Sequence, residues 1–129
     1  MIGQTVSHYL IEKRLGGGGM GDVYLAQDTT LASRQVAIKV VRPELLGQRG
    51  NRTRLLAEAN MIARLQHPYI CEIHDVGELE EGHLFLVMAH YAGGTLRDRM
   101  RRPMAPAEAV SIALAIARGI GHAHGHDIV

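Results

Sequence analysis

Three glycines, a lysine and a glutamate are the residues whose types and spacing could do chemistry together. Gly16, Gly18 and Gly21 stand as G-x-G-x-x-G between Leu15 and Val23, with Gly17, Gly19 and Met20 in the variable places. A loop without side chains can lie close over a polyphosphate and donate backbone N–H groups to it. Lys39 sits in Val36-Ala37-Ile38-Lys39. On a strand Ala37 and Lys39 share a side, so a flat ligand could rest on Ala37 while the ammonium reaches its phosphates. Glu58 falls among Leu55, Ala59 and Ile62, which recur at helical spacing. A carboxylate on an apolar stripe is costly unless paired, and Lys39 is the nearest obvious partner. Each signal has a plainer alternative. The loop could be an ordinary hairpin, Lys39 a solvated edge charge, and Glu58 a stripe-edge residue paired with Arg54 or Arg64. A dinucleotide fold also uses these glycines, but there they open a helix. Here Asp22-Val23-Tyr24-Leu25-Ala26 follows, which is strand-like.

The elements that must position these residues can be read from periodicity. Strands are predicted over 8–15, 23–27 and 35–41, the last closed by Pro43, so the glycine loop joins two strands of a meander. A helix is predicted over 51–66, ended by His67-Pro68. Two more strands, 69–76 and 83–88, flank the acidic turn Glu78-Leu79-Glu80-Glu81-Gly82. Gly93-Gly94 breaks the pattern. A short polar helix follows near 96–100, then a long one from Ala107 to Ala123, with Pro106 at its first turn and Gly125 at its end. Ala109, Val110, Ile112, Ala113, Ile116, Ala117 and Ile120 leave that helix apolar around much of its circumference, so it expects neighbours on most sides.

Composition narrows the class. The 129 residues are 47% hydrophobic and 21% charged, which is globular, and 4% aromatic, which makes the core aliphatic. A net charge of +1 leaves no footprint for nucleic acid or an anionic membrane surface. No apolar run approaches the roughly 20 residues of a spanning helix, and the N-terminus lacks signal-peptide character. Cys71, the single cysteine, lies in an apolar run and is read as a small buried hydrophobe; without an internal disulfide a reducing, cytoplasmic setting fits. His122 and His124 would point ~200° apart on a helix, so they are read as helix-end histidines and not as metal ligands. Arg97, Arg99, Arg101 and Arg102 are read as a solvated face, as are Arg49, Arg52 and Arg54.

Taken in order, Leu15-Gly16-x-Gly18-x-x-Gly21-x-Val23, Val36-Ala37-Ile38-Lys39, Glu58, His67-Pro68-x-Ile70, Leu86-Val87-Met88 and Gly93-Gly94-Thr95-Leu96 resemble the N-terminal lobe of a eukaryotic-like (Hanks-type) serine/threonine protein kinase of the bacterial type. The resemblance runs from about His8 onward. It implies an α+β fold: a five-stranded antiparallel sheet with one main helix, then the first helices of an incomplete helical lobe. Residues 1–91 would form the N-lobe with its ATP site and hinge, and 92–129 the start of the C-lobe. By the same resemblance Leu15 and the backbone of Gly16 to Gly21, Met20 included, would cover ATP. Lys39 would hold the α- and β-phosphates and pair with Glu58 in the active arrangement. Val23 and Ala37 would pack on the adenine, and Met88 would stand behind it. The Ala89 carbonyl and Tyr91 amide, in the hinge Ala89-His90-Tyr91, would bond its edge. Ile62 and Ile73 would join the apolar stack between the lobes.

The family's catalysis also needs a His-Arg-Asp loop and an Asp-Phe-Gly segment, and neither string occurs. The general base is therefore absent, and so are the ligands for the Mg²⁺ that a full-length kinase would use with ATP on a protein substrate. The sequence thus reads as the ATP-binding portion of a kinase, truncated before the catalytic loop and inactive alone, with no membrane segment and no nucleic-acid partner. A non-catalytic nucleotide-binding or regulatory docking fragment is the alternative. Gly17 and Gly19 are expected to make the loop mobile until ATP orders it, so that Gly17→Glu leaves nucleotide affinity unchanged or better.

Overall fold

Alternating side chains on three successive strands divide the sheet into a packed side and an open one. The computed structural model describes residues 1–129 apart from Met20, Ala32, Ser33, Gln48 and the side chains of Arg49 and Glu81. Its strands are β1 (Thr5–Val6), β2 (Tyr9–Gly18), β3 (Gly21–Asp28), β4 (Gln35–Val41), β5 (Ile73–Glu78) and β6 (Leu84–Ala89). They form one antiparallel sheet of six strands in the order β1-β2-β3-β4-β6-β5. The fold class is as expected; the sixth strand is β1, two residues that turn the chain onto β2. On the packed side Ile11, Ala26, Val36, Ile38, Phe85 and Val87 meet Val6 and Tyr9 in one hydrophobic cluster, mostly aliphatic but with two aromatic rings. Cross-strand pairs such as Ala26 with Val36 and Ile38 with Val87 build it.

Helix α1 (Arg49–Ala63) packs against β5 and the 3₁₀ turn Pro43–Leu46. Helix α2 (Leu96–Arg99) opens on a capping box: the Asp98 amide donates to the Thr95 hydroxyl, and the Thr95 amide donates to the Asp98 carboxylate. Helix α3 (Pro106–His124) starts with Pro106 in its first turn. Gly125 ends it with right-handed dihedrals, and the left-handed residue is Asp127, φ 61°. Arg99 departs from the expected solvated face, because its guanidinium donates to Glu108 at 2.8 and 2.5 Å and ties α2 to α3. Arg52 likewise pairs with Glu78.

Two expectations need correction. The strand expected from Tyr69 begins only at Ile73, because residues 68–70 turn, with the Ile70 amide donating to the His67 carbonyl. Cys71 therefore lies outside the sheet and is exposed, not a buried hydrophobe. Its sulfur still lies 3.7 Å from the Ala89 carbonyl oxygen. Partial burial pushes the thiol pKa up, with the Glu72 charge adding and the Ala89 hydrogen bond opposing.

The β3–β4 connection hangs on a buried carboxylate. Asp28 is 1% exposed. Its Oδ1 accepts from the Thr30 amide at 2.9 Å, the Thr30 hydroxyl at 2.8 Å and the Leu31 amide at 3.2 Å. Burial alone would raise its pKa, but these bonds and the nearby His8 outweigh it and hold the carboxyl below its ordinary 3.8. The unfolded chain then takes up this proton before the folded one does. The stability Asp28 contributes is complete above the ordinary value and is lost as pH falls through the depressed one. Thermal melts from pH 6 to pH 2 are expected to show a steeper acid loss in the parent than in Asp28→Asn; parallel curves would contradict this.

Candidate functional site

A cleft of about 900 Å³ lies on the open side of the sheet, between the glycine hairpin, β4 and the stretch from Ala89 to Asp98. It exists because strands with period two send every second side chain there. Lys13 and Leu15 come from β2, Val23 and Leu25 from β3, and Gln35, Ala37 and Lys39 from β4. Val23 stands opposite Lys39 and Leu25 opposite Ala37. Gly16, Gly17, Gly18, Gly19 and Gly21 form the upper lip, and Ala89, His90, Tyr91, Ala92, Gly94, Thr95 and Asp98 the far wall.

The cleft thus collects Leu15, Gly16, Gly17, Gly18, Gly19, Gly21, Val23, Ala37, Lys39, Ala89 and Tyr91 of the expected site. Met20 lies outside the described residues. Met88 stands opposite both Ala37 and Ile73, one strand in from the cleft wall and not on it. The Ala89 amide donates to the Glu72 carbonyl at 3.0 Å. Its carbonyl is approached by the Cys71 thiol, a weak donor. Reading the sequence two residues further along each strand would have found Lys13, Leu25 and Gln35. The Thr95-x-x-Asp98 capping signature would have flagged the far wall.

Glu58 is elsewhere. Its Oε1 accepts from Arg54 Nε at 2.9 Å, and about half of its side chain is exposed. No ion pair joins Lys39 and Glu58, and Lys39 makes none with any described residue. The reason is the phase of α1. Arg52, Leu55, Leu56, Ala59 and Ile62 are its more covered positions, with Ala59 the most buried. At ~100° per residue, Glu58 falls well off the centre of that stripe. The helix leans on β5 and not on β4, so its flank faces water.

Helix α3 meets the sheet unit at the turn after α1. Gly119, the buried residue of α3, lies under the Tyr69 carbonyl. The His122 ring stacks 4.7 Å from His67 and 4.6 Å from His126. Burial, then the neighbouring His126 and His67, holds the His122 pKa below its usual value. Apart from its tie to α2 through Glu108, α3 exposes Val110, Leu114, Ile116 and Ile120. No helix among the described residues is long and apolar enough to cross a membrane.

The sequence profile of the protein kinase domain matches residues 9–129. The chain belongs to the protein kinase family. Serine/threonine-protein kinase PrkC of Bacillus subtilis is 39% identical over 132 residues, which cover 100% of this kinase chain and 20% of PrkC. Serine/threonine-protein kinase PknE of Mycobacterium bovis is 39% identical over 124 residues, 95% of this chain and 22% of PknE. The chain thus spans about a fifth of the length of these curated relatives. A mutant form of the Mycobacterium tuberculosis PknI kinase domain superposes with a TM-score of 0.85 at 31% identity, covering 98% of this chain and 52% of that one. The helix that a dinucleotide fold would need after the glycines is replaced by β3.

Proposed function

We propose that this kinase chain forms the ATP-binding part of a serine/threonine protein kinase, with residues 1–91 as N-lobe and hinge and 92–129 as the start of the C-lobe. The observation that carries this is the cleft itself. A half-buried lysine with no ion-pair partner among the described residues faces the same space as a glycine hairpin and a flat apolar floor of Val23 and Ala37. Lys39 offers its ammonium to the α- and β-phosphates, the hairpin backbone covers them, and Ala89 and Tyr91 present backbone groups to the base. Bound ATP supplies the transferable γ-phosphoryl group. Its acceptor, in the whole enzyme, is a protein hydroxyl.

In the active arrangement Glu58 would join Lys39 after α1 rotates and Arg54 releases it. Among the described residues no group of three or more His, Cys, Asp or Glu could hold a metal ion. Ala109-bearing α3, bare on its outer side, is the seat of further kinase helices.

Saturating ATP is expected to raise the melting temperature. At 100 times Kd the stabilisation is about 2.7 kcal/mol, and Lys39→Ala should abolish most of it. A melting curve indifferent to ATP would refute the reading. The chain alone should transfer no phosphate; Lys39-dependent turnover with Mg-ATP would show that it is a competent enzyme.

A further inference from the structure

The glycine hairpin carries a brace on its outer surface, away from the cleft. Arg14 lies between Lys13 and Leu15, which both line the cleft, so its side chain leaves the other side of β2. There its Nη2 donates to Asp22 Oδ1 at 2.9 Å, with Nε at 3.3 Å from the same oxygen. Asp22 is the cross-strand partner of Gly17. A Cβ built on Gly17 would overlap both the Arg14 guanidinium and the Asp22 carboxylate, whereas a Cβ on Gly16, Gly18 or Gly19 meets nothing within 4 Å. The ion pair therefore lies across the backbone of Gly17, in space that only a glycine leaves open.

We infer that Arg14 and Asp22 are positioning residues for the nucleotide: their ion pair braces the hairpin in its covering position over the phosphates, in addition to its pairing with β4, and Gly17 is a glycine to let it pass. Neither side chain lines the cleft, so the pair acts through the hairpin. Ordering the hairpin beforehand spares ATP part of the entropy of ordering it on binding. The brace acts where the hairpin acts, on phosphates and not on the base. The brace runs against the expectation that Gly17→Glu leaves nucleotide affinity unchanged or better, since a Cβ there meets the ends of Arg14 and Asp22.

The inference rests on the nucleotide reading of the cleft, and two measurements separate them. In nucleotide-free protein, Asp22→Asn and Gly17→Ala are each expected to speed amide exchange of the hairpin roughly two- to fivefold, the range an exposed ion pair supplies, with exchange in β4 and β6 unchanged. By titration calorimetry both variants should weaken ATP by the same factor and leave adenosine, which has no phosphates, unaffected. Combining them should add no further loss, because each removes the same pair. The exchange Arg14→Asp with Asp22→Arg should recover ATP affinity. Unchanged hairpin exchange, additive losses, or equal losses for ATP and adenosine would overturn the brace. A parent protein that binds neither ligand sinks the nucleotide reading, and the exchange measurement still judges the brace.

Discussion

Gly21→Ala is expected to lower the melting temperature by roughly 10 °C, while Gly18→Ala, three residues away on the same hairpin, changes it little. The two glycines look equivalent in the motif but differ in what surrounds them. Gly21 has φ +148°, a conformation side chains rarely adopt, and its Cβ would fall on the Val40 carbonyl oxygen. The backbone of β4 cannot yield there without breaking the β3–β4 pairing that starts at Gly21 and Val41. A strained φ costs about 1–3 kcal/mol, and the overlap adds to it. Gly18 has no such neighbour within 4 Å. The same variant should lose ATP binding, because the hairpin can no longer close beside β4. A Gly21→Ala protein that melts with the parent would show that the hairpin is not held against Val40.

The second expected result concerns α3 and turns on a change of sign. In an exposed helix Gly→Ala stabilises by about 1 kcal/mol. Gly121 meets nothing within 4 Å, so Gly121→Ala should show that gain. Gly119, two residues earlier and ~200° around the helix, has a different fate: its Cβ would stand 2.8 Å from the Tyr69 carbonyl oxygen and 3.4 Å from the Tyr69 Cβ. Gly119→Ala should therefore destabilise the chain despite the better helix former, by about 1–3 kcal/mol, as α3 is pushed off the turn. Opposite shifts in melting temperature for the two variants are the signature; equal gains would mean that α3 is not docked there. The His67–His122 stack should follow pH in the same place. Because the His122 pKa is depressed, the stability its contact contributes is complete above the ordinary 6.5 and diminishes as pH falls through the lower folded value, which melts from pH 8 to pH 5 in the parent and in His122→Gln would show.

Much of this was legible because strands repeat every two residues. Ala37 and Lys39 had to share a side, and with Val23 they fixed which side of the sheet holds the cleft. The misreadings have physical causes. Strand β1 is two residues long, too short to show a period. Ile70-Cys71 is apolar and looked like a strand start, but the turn after His67-Pro68 delays pairing to Ile73. For α1, Leu55, Ala59 and Ile62 define a stripe only to within a residue or so. Leu56 and Arg52 shift its centre away from Glu58, and only packing against β5 decides between the two phases. The Arg14–Asp22 pair needed the hairpin register, which two bulges in β2 shift between Ile11 and Lys13 and between Arg14 and Gly16.

The placement of Gly119 under the Tyr69 carbonyl also limits motion. The segment carrying α2 and α3 is joined to the sheet twice: covalently through the stretch after Ala89, and by contact at the turn after α1. Two fixed points define a line. A rigid segment held at both keeps a single rotation, the one about that line. Its far wall residues, Tyr91 to Asp98, would then swing toward or away from the glycine hairpin and not slide along it. Were the segment rigid between these two points, the cleft would open as a jaw with one degree of freedom, and loosening the Gly119 contact would free the other two.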